Sequence, residues 1–361
     1  MNINHSFWKN RRVFLTGHTG FKGSWLSLWL ETLGAETTGY SLDPPTQPNL
    51  FEQASVAKSL RSFHGDIRDY DKLKNALKES RPSVVIHMAA QSVVRHGYAD
   101  PIETYSTNVM GTVHLFEALR QLKLQCVVVN VTSDKCYANQ EWLWAYREYE
   151  AMGGRDPYSN SKSCAELVTT AYRESFFPPS AFAEHGIALA SARAGNAIGG
   201  GDWTPDQLIP DLMRAFLKKE ACVIRNPHAI RPWQFVLEPI RGYLMLAEQL
   251  SVNPQKFASG WNFGPIDSDA RSVSWIADKL AGHWGNGAAW RQDTAQHPTE
   301  AQLLKLDASK AGAHLRWHPV VSIEPALHWI SEWYRAFRDK SDLRKITSSQ
   351  IQRYESLLAN S

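Results

Sequence analysis

A glycine-spaced turn near the start of the chain constrains the fold more than any other feature of the sequence. The turn lies in TGHTGFKG, where Gly17, Gly20 and Gly23 follow an apolar run and precede a helical pattern. Glycines at this spacing let the backbone turn tightly and approach a pyrophosphate, which the free N–H groups at a helix N-terminus stabilise. A GxxGxxG pattern alone fits any tight turn, but its strand–turn–helix context predicts a dinucleotide-binding site.

Short apolar runs alternate with amphipathic helical patterns along the first half of the chain. The runs include SVVIHMAA and CVVVNVTS, which follow the helical patterns YDKLKNALKES and TVHLFEALRQL. Continuous apolar strands separated by helices are typical of a parallel sheet covered on both faces. We predict an α/β fold, a Rossmann-like doubly wound parallel sheet with a smaller mixed C-terminal lobe. The predicted domains are 1–190, to which 230–255 returns, and 191–361.

The composition excludes several classes of protein. The chain has 361 residues, of which 43% are hydrophobic and 21% charged, as in an ordinary globular protein. Lys and Arg (39) exceed Asp and Glu (36) by 3, too small a surplus for a nucleic-acid or acidic-membrane partner. The four cysteines lack paired or metal-ligand spacing, which predicts reduced thiols and no metal site. No apolar stretch has the length of a signal peptide or membrane span, so we expect a cytoplasmic protein.

Two stretches carry the residues of a candidate catalytic site. The apolar run in VNVTSDKCY ends in Ser133, Asp134 and Lys135, at the carboxyl end of a predicted strand, where parallel sheets bind ligands. The stretch YSNSK places Tyr158 and Lys162 four residues apart on one helix face. A cationic lysine beside a phenol is expected to lower the pKa of the phenol and make a phenolate base possible. The alternatives are a YxxxK on the surface and a strand-end cap in which the aspartate and the neighbouring lysine pair.

The second predicted strand bears on the choice of dinucleotide. It ends in ETTGYSLD, where Asp43 can accept hydrogen bonds from an adenosine ribose, although Ser41 could occupy that position. Lys22, inside the glycine loop, would instead favour the 2′-phosphate of NADP. Asp66 suits the adenine amino group, and its alternative role is a helix N-cap. The acid at the strand end leads us to predict NAD.

Together these stretches resemble the extended short-chain dehydrogenase/reductases, and specifically the sugar-nucleotide 4,6-dehydratases. The resemblance runs from the glycine loop to about residue 335, and it is carried by TGHTGFKG, HMAAQSVV, PIETYSTNVMGT, TSDKCY, YSNSK, RAGNAIGGGDW and RPWQFV. It implies an NAD site formed by Gly17, Thr19, Gly20, Phe21, Lys22, Gly23, Asp43, Asp66, Ile67, Ala89, Ala90, Gln91, Asn108, Tyr158 and Lys162.

The resemblance also implies a mechanism. In this family a tyrosine, here Tyr158, takes the proton of the C4 hydroxyl as hydride moves to NAD, water leaves from C5 and C6, and the hydride returns to C6. Many relatives carry Thr-Asp-Glu at the strand end, where Asp protonates the leaving hydroxyl and Glu removes the C5 proton. Ser133, Asp134 and Lys135 match these residues, so a lysine replaces the base. Lys135 can act as a base only when neutral; otherwise it stabilises the developing enolate, and water or another group removes the proton.

The substrate and the assembly also follow from the resemblance. The combination of TGHTGFKGSWL with TSDK most resembles the branch of the family that acts on CDP-glucose, on the route to CDP-linked 3,6-dideoxyhexoses. We therefore expect CDP-D-glucose as the substrate, bound by Ser92, Asn196, Asp202, Trp203, Arg231 and Glu300. Arg95 departs from the Asp that relatives usually carry near this site. Relatives pair through two helices per subunit, here TVHLFEALRQL and SKSCAELVTTAYRES, which predicts a homodimer or a dimer of dimers.

Two other functions use the same motifs. A 4-epimerase, or a 4,6-dehydratase acting on a dTDP-, UDP- or GDP-hexose, would share the scaffold, but an epimerase needs no acid at Asp134. A redox sensor that binds NAD without turnover would not need the combination of Ser133, Tyr158 and Lys162. The sequence therefore favours a dehydratase over both alternatives.

Overall fold

A seven-stranded parallel sheet forms the centre of the protein. The computed structural model describes residues 3–295 and 303–359. Within these ranges the strands are β1 (Arg12–Thr16), β2 (Glu36–Ser41), β3 (Arg61–His64), β4 (Val84–His87), β5 (Cys126–Val131), β6 (Ile187–Ala194), β7 (Ala197–Ile198), β8 (Cys222–Ile224), β9 (Ile230–Pro232), β10 (Gln234–Phe235), β11 (Gly260–Phe263), β12 (Ala270–Ser272) and β13 (Trp290–Gln292). The sheet has the order β11–β6–β5–β4–β1–β2–β3, and every neighbouring pair in it is parallel.

Helices cover the sheet. The α-helices of the described ranges are α1 (His5–Trp8), α2 (Phe21–Thr32), α3 (Leu50–Gln53), α4 (Tyr70–Ser80), α5 (Val94–Ala99), α6 (Pro101–Tyr105), α7 (Gly111–Leu122), α8 (Pro157–Ser175), α9 (Phe182–His185), α10 (Leu208–Lys218), α11 (Leu237–Val252), α12 (Pro254–Phe257), α13 (Val273–Trp284), α14 (Ser309–Leu315), α15 (Ile323–Arg338) and α16 (Leu343–Ala359). A π-helical turn, Ser106–Met110, joins α6 to α7.

The burial of the strands confirms the predicted fold class. Every residue of β5 and of β6 is buried, because strands of a parallel sheet have helices over both faces. The strand order reverses between β1 and β4, since β2 and β3 extend the sheet in one direction and β5 and β6 in the other. In sheets of this kind ligands bind outside the carboxyl ends of the strands at the reversal.

One part of the chain assigned to the smaller lobe belongs to the central sheet. Strand β11 pairs in parallel with β6 and forms an edge of the sheet, although it lies within 191–361. Helix α11, earlier in the same part of the chain, packs on β5 and β6. The chain re-enters the sheet because Trp261 and Phe263 supply buried apolar surface at that edge. The division into two domains otherwise stays a prediction.

The described residues show no membrane-spanning element and no metal cluster. Among them, no helix combines the length and the apolar character needed to cross a bilayer. They also contain no group of three or more His, Cys, Asp or Glu side chains placed to hold a metal ion. All four cysteines are free thiols.

Candidate active site

A cavity of about 560 Å³ opens at the carboxyl ends of the central strands. It brings the glycine loop, the end of β5 and the start of α8 together, although these segments are far apart in the sequence. The predicted site residues that line it are Gly17, Thr19, Gly20, Phe21, Lys22, Gly23, Asp43, Asp66, Ile67, Ala89, Ala90, Gln91, Ser92, Ser133, Asp134, Lys135, Tyr158, Lys162, Asn196 and Asp202. All five predicted catalytic residues therefore face one space.

The glycines of the loop carry no side chains, which lets the protein backbone come close to a phosphate of a bound ligand. Gly17 has a φ of +77°, and a Cβ there would lie 2.8 Å from the backbone nitrogen of Ala89. A Cβ on Gly23 would lie only 2.1 Å from the carbonyl oxygen of Gly17. Helix α2 begins directly after Gly20, whose position as N-cap offers no side chain to the free N–H groups. The cradle thus fits the pyrophosphate of a dinucleotide, which the helix N-terminus would stabilise.

Acidic side chains lie at the predicted adenosine end of the cavity. Asp43 is two residues beyond β2, and its Oδ1 is 3.1 Å from Nδ1 of His64. Asp66 accepts a hydrogen bond from the backbone of Arg68 and pairs with its guanidinium at 2.6 Å, which lowers the pKa of Asp66. Asp66 is not a helix N-cap, because Asp69 caps α4. A carboxylate at Asp43 favours a free ribose hydroxyl over a 2′-phosphate.

Lys22 faces the catalytic residues. Burial lowers the pKa of its amine, and the charges of Asp134 and Asp202 partly restore it. Because Asp134 and Asp202 are the carboxylates whose charges act on this amine, the structure does not support the alternative in which Lys22 holds a 2′-phosphate beside Asp43. The positive charge of Lys22 also lowers the pKa of Lys162.

A one-turn 3-10 helix, Asp134–Cys136, lies shortly after β5. Its start presents three polar residues to the cavity, Ser133, Asp134 and Lys135. Ser133 is its N-cap and accepts a hydrogen bond from the backbone nitrogen of Lys135 at 3.2 Å. Its Oγ also donates to Oδ1 of Asp134 at 3.0 Å, while Oδ2 of Asp134 has no hydrogen-bond partner among the described residues. Burial raises the pKa of Asp134, and the charge of Lys135 opposes this shift. The buried acid therefore keeps its proton to a higher pH than an exposed aspartate does.

The strand end and the catalytic helix face each other. Nζ of Lys135 lies 5.8 Å from the centre of the Tyr158 ring, so this amine is directed at the phenol. No ion pair between Asp134 and Lys135 occurs in the part of the chain that the structure describes. The strand-end cap in which these two side chains pair is therefore not what the structure shows.

The titration of the tyrosine differs from the sequence-based expectation. Burial raises the pKa of Tyr158, the hydrogen bond with Ser133 lowers it, and the negative charge of Asp134 raises it further. The expected net lowering of the phenol pKa by Lys162 is therefore not what the structure indicates, because desolvation outweighs the stabilisation of the phenolate. Burial also lowers the pKa of Lys162 to about 7. Of the contacts described, the hydroxyl of Ser133 is the group that favours the phenolate.

Three of the predicted site residues that the structure describes do not line the cavity. Asn108 lies behind Gln91, where its amide bonds both the backbone nitrogen and the carbonyl of that residue at 2.9 Å. Trp203 is buried against Tyr334, with ring centres 5.1 Å apart. Arg231 is buried, yet its charge lowers the pKa of Asp134. Glu300 lies outside the described residues.

Sequence reasoning missed several residues that shape the site. The cavity is also lined by Trp233, in RPWQFV, and by Thr204, Gln207 and Leu208 after GGGDW. The available signal was the position of Trp233 within one motif and of the other three residues shortly after the second motif. It also missed a buried ion pair, Glu166 with Arg193, joined at 2.7 Å. No local pattern pairs a helix residue with a strand residue that follows it by 27 positions.

Comparisons with known proteins place this fold and cavity in one family. The sequence profile of the GDP-mannose 4,6 dehydratase family matches residues 14–328. The chain therefore belongs to this family of sugar-nucleotide dehydratases, which confirms the resemblance predicted from the sequence. A CDP-glucose 4,6-dehydratase of Salmonella typhimurium is 54% identical over 98% of this chain and 99% of its own. A dTDP-glucose 4,6-dehydratase of the same organism is 24% identical over 90% of this chain and 93% of its own.

Solved structures share the fold. The DesIV dTDP-glucose 4,6-dehydratase from Streptomyces venezuelae, with NAD bound, matches 92% of this chain and 99% of its own with a TM-score of 0.75 and 22% identity. MoeE5, in complex with UDP-glucuronic acid and NAD, matches 90% of this chain and 99% of its own with a TM-score of 0.76 and 24% identity. The shared architecture agrees with the Rossmann-like sheet described above.

Proposed function

We propose that this protein is an NAD-dependent hydro-lyase that converts CDP-D-glucose to CDP-4-dehydro-6-deoxy-D-glucose and water. The observation that carries the proposal is the 54% identity, over almost the full length of both chains, to a CDP-glucose 4,6-dehydratase. The cavity supports it, because Asp134, Lys135 and Tyr158 face the same space at the end of the central strands.

The first half of the reaction uses the residues of α8. Tyr158 takes the proton of the C4 hydroxyl, and Ser133 would stabilise the phenolate by turning its hydroxyl from Asp134 to the phenolate oxygen. Lys162, when protonated, adds positive charge one helical turn away. NAD, when bound, would supply the redox chemistry of the reaction, as the acceptor and later the donor of one hydride. The glycine loop and the N-terminus of α2 would hold its pyrophosphate, with Asp43 at the ribose.

The second half uses the residues that follow β5. The 4-keto group acidifies the C5 proton, and Asp134 donates a proton to the departing C6 hydroxyl. Lys135 either removes the C5 proton itself or stabilises the developing enolate with its charge while water or another group removes that proton. The raised pKa of Asp134 supports the acid role, because a buried carboxyl keeps its proton more readily. After hydride returns to C6, C5 takes up a proton, so the net change is the loss of one water.

The sugar nucleotide is proposed to bind across the mouth of the cavity. Ser92, Asn196 and Asp202 line it, and Arg231 contributes positive charge near Asp134. Trp203 supports this region from behind rather than by contact, because it packs in the core. Glu300 keeps its proposed role at the nucleotide on the basis of the family resemblance alone.

The proposed assembly is a homodimer, or a dimer of dimers, through α7 and α8. Exposed apolar side chains on and next to these helices support the proposal, namely Ile102, Met110 and Leu167. Exposed apolar groups clustered on neighbouring helices favour a protein partner. We further propose a cytoplasmic enzyme that serves dideoxyhexose synthesis for the lipopolysaccharide O-antigen.

A 4-epimerase is the second candidate, and the acid at Asp134 disfavours it. The test is incubation with CDP-glucose and NAD, with detection of the 4-keto product by its absorbance in alkali. Parallel reactions with dTDP-glucose, UDP-glucose and GDP-mannose measure nucleotide preference. Production of CDP-galactose without a 4-keto product would identify an epimerase, and binding of NAD without any product would favour the sensor.

A further inference from the structure

A buried carboxylate lies directly behind the catalytic strand end. Glu166 is on α8, one helical turn beyond Lys162, and its side chain is 2% exposed. Its Oε1 accepts a hydrogen bond from Oγ1 of Thr132, and its Oε2 accepts one from Oγ of Ser191 at 2.7 Å. Thr132 directly precedes the catalytic serine, and Ser191 lies on β6. One carboxylate therefore joins the catalytic helix to both strands that carry the site.

Arg193, on β6, is the cation that pairs with this carboxylate. Its Nη2 donates to Oε2 of Glu166 at 2.7 Å, and its Nη1 donates to Oη of Tyr137 at 2.9 Å and to the carbonyl of Glu148 at 3.0 Å. A buried ion pair adds little stability compared with well-packed apolar side chains, because both ions lose their hydration. Stability alone is therefore a weak explanation for this pair beside the active site.

The carboxylate is ionised and acts on the catalytic lysine. Burial by itself raises the pKa of Glu166, but the charge of Arg193 and three hydrogen bonds bring it below its usual value. Burial and the charge of Lys22 lower the pKa of Lys162 to about 7, and Glu166 opposes both. The other titratable groups around Lys162 are Tyr158 one turn earlier on α8, Lys22 of α2, Cys136 of the turn after β5 and His87 of β4. Among the described residues, Glu166 is the carboxylate whose charge raises the pKa of Lys162.

We propose that Glu166 is a positioning residue for the reaction, acting through Lys162 and through the end of β5. Its fixed negative charge keeps Lys162 protonated, and its hydrogen bond with Thr132 holds the strand end against α8. The inference rests on the proposed function in one respect, the assignment of Tyr158 as the base and Lys162 as its cationic neighbour.

The test is the pH dependence of Glu166→Gln compared with the wild type. A neutral amide does not support the ammonium, so Lys162 loses its proton at a lower pH. The alkaline limb of kcat/KM should move down by about one pH unit, the scale of a shift caused by a charge one helical turn away. NMR of ¹³C-labelled lysine side chains, assigned with Lys162→Met, should show the same shift. That titration needs no turnover, so failure of CDP-glucose to react would leave it informative.

Two further variants separate the charge effect from a loss of structure. Glu166→Asp keeps the charge and should keep the alkaline limb near its wild-type pH, even if the rate falls. Glu238→Gln is the matched control, since Glu238 is a buried carboxylate that bonds Tyr354 and pairs with Arg241 outside the cavity. Glu238→Gln should lower the melting temperature of the protein without shifting the alkaline limb of kcat/KM.

The outcome that overturns the proposal is a uniform loss of rate. Glu166→Gln leaves Arg193 buried without its counterion, so the double variant Glu166→Gln/Arg193→Met carries the same prediction should the single variant not fold. If the alkaline limb and the lysine titration stay at their wild-type pH in either variant, Glu166 only stabilises the fold. A shift in both measurements supports the positioning role.

Discussion

Replacing Asp134 with asparagine should separate the two halves of the proposed reaction. The amide has the shape of the carboxyl, and its oxygen can still accept the hydrogen bond that Ser133 donates at 3.0 Å. It lacks the acidic proton that the leaving C6 hydroxyl needs. Tyr158 and Lys162 are unchanged, so C4 oxidation should continue while elimination stops.

The position of Asp134 sets the size of the effect. Asp134 is 3% exposed, and burial raises the pKa of its carboxyl. Water is therefore poorly placed to replace this carboxyl as the acid. A positioned general acid contributes about 10²- to 10⁴-fold to the rate, or about 3–5 kcal/mol of barrier. The expected cost in folding stability is smaller, about 1–2 kcal/mol, because the new amide nitrogen replaces an oxygen that has no partner among the described residues.

The assay is rapid mixing of the NAD-loaded variant with CDP-glucose. Enzyme-bound NADH should accumulate, visible in the absorbance band of the reduced nicotinamide, while the 4-keto-6-deoxy product forms at least a hundredfold more slowly than in the wild type. A thermal melt of both proteins provides the control for folding. Lost turnover without any NADH would mean that Asp134 acts before hydride transfer. Unchanged turnover would remove it from the mechanism.

Three other substitutions test the remaining parts of the site. Tyr158→Phe should abolish turnover and NADH formation, because C4 oxidation needs the phenolate, while the affinity for NAD measured by calorimetry changes little. Ordinary activity in this variant would refute the assignment of Tyr158 as the base. Lys135→Met should still form NADH but lose incorporation of solvent deuterium at C5; exchange as fast as in the wild type would make Lys135 a charged orienter. Gly23→Ala should weaken NAD binding at least tenfold, since its Cβ would lie 2.1 Å from the carbonyl oxygen of Gly17, whereas Gly282→Ala, with no atom within 4 Å, should leave binding unchanged. Equal NAD affinity in both alanine variants would contradict the proposed cradle.

The residues whose roles could be predicted from sequence are those set by local geometry. Gly17 and Gly23 are needed wherever a strand turns sharply into a helix beneath a phosphate, so their spacing between an apolar run and a helical pattern predicts the cradle. Tyr158 and Lys162 share a helix face because four residues span about one turn. The end of an apolar run locates Ser133 at the edge of the sheet where ligands bind.

Other predicted site residues do not line the cavity, because a local motif does not show what packs against it. Trp203 follows the GGGD stretch, as the family pattern requires, but its ring packs on Tyr334, which lies more than a hundred positions later in the chain. Asn108 belongs to a matching stretch, yet the π-helical turn directs its amide to the backbone of Gln91. The partner of Trp203 therefore comes from a distant segment, and that of Asn108 lies 17 positions earlier in the chain, so neither contact is visible within the motif itself.

The sequence by itself therefore determined the parallel sheet, the dinucleotide cradle and the chemical groups at the end of β5. Only the tertiary structure decided how those groups titrate: burial raises the pKa of Asp134 and of Tyr158, and Lys22 and Glu166 act in opposite directions on Lys162. The physical reason is that backbone geometry depends on neighbours in the chain. A pKa depends on desolvation and on through-space charge, which the assembled fold alone supplies.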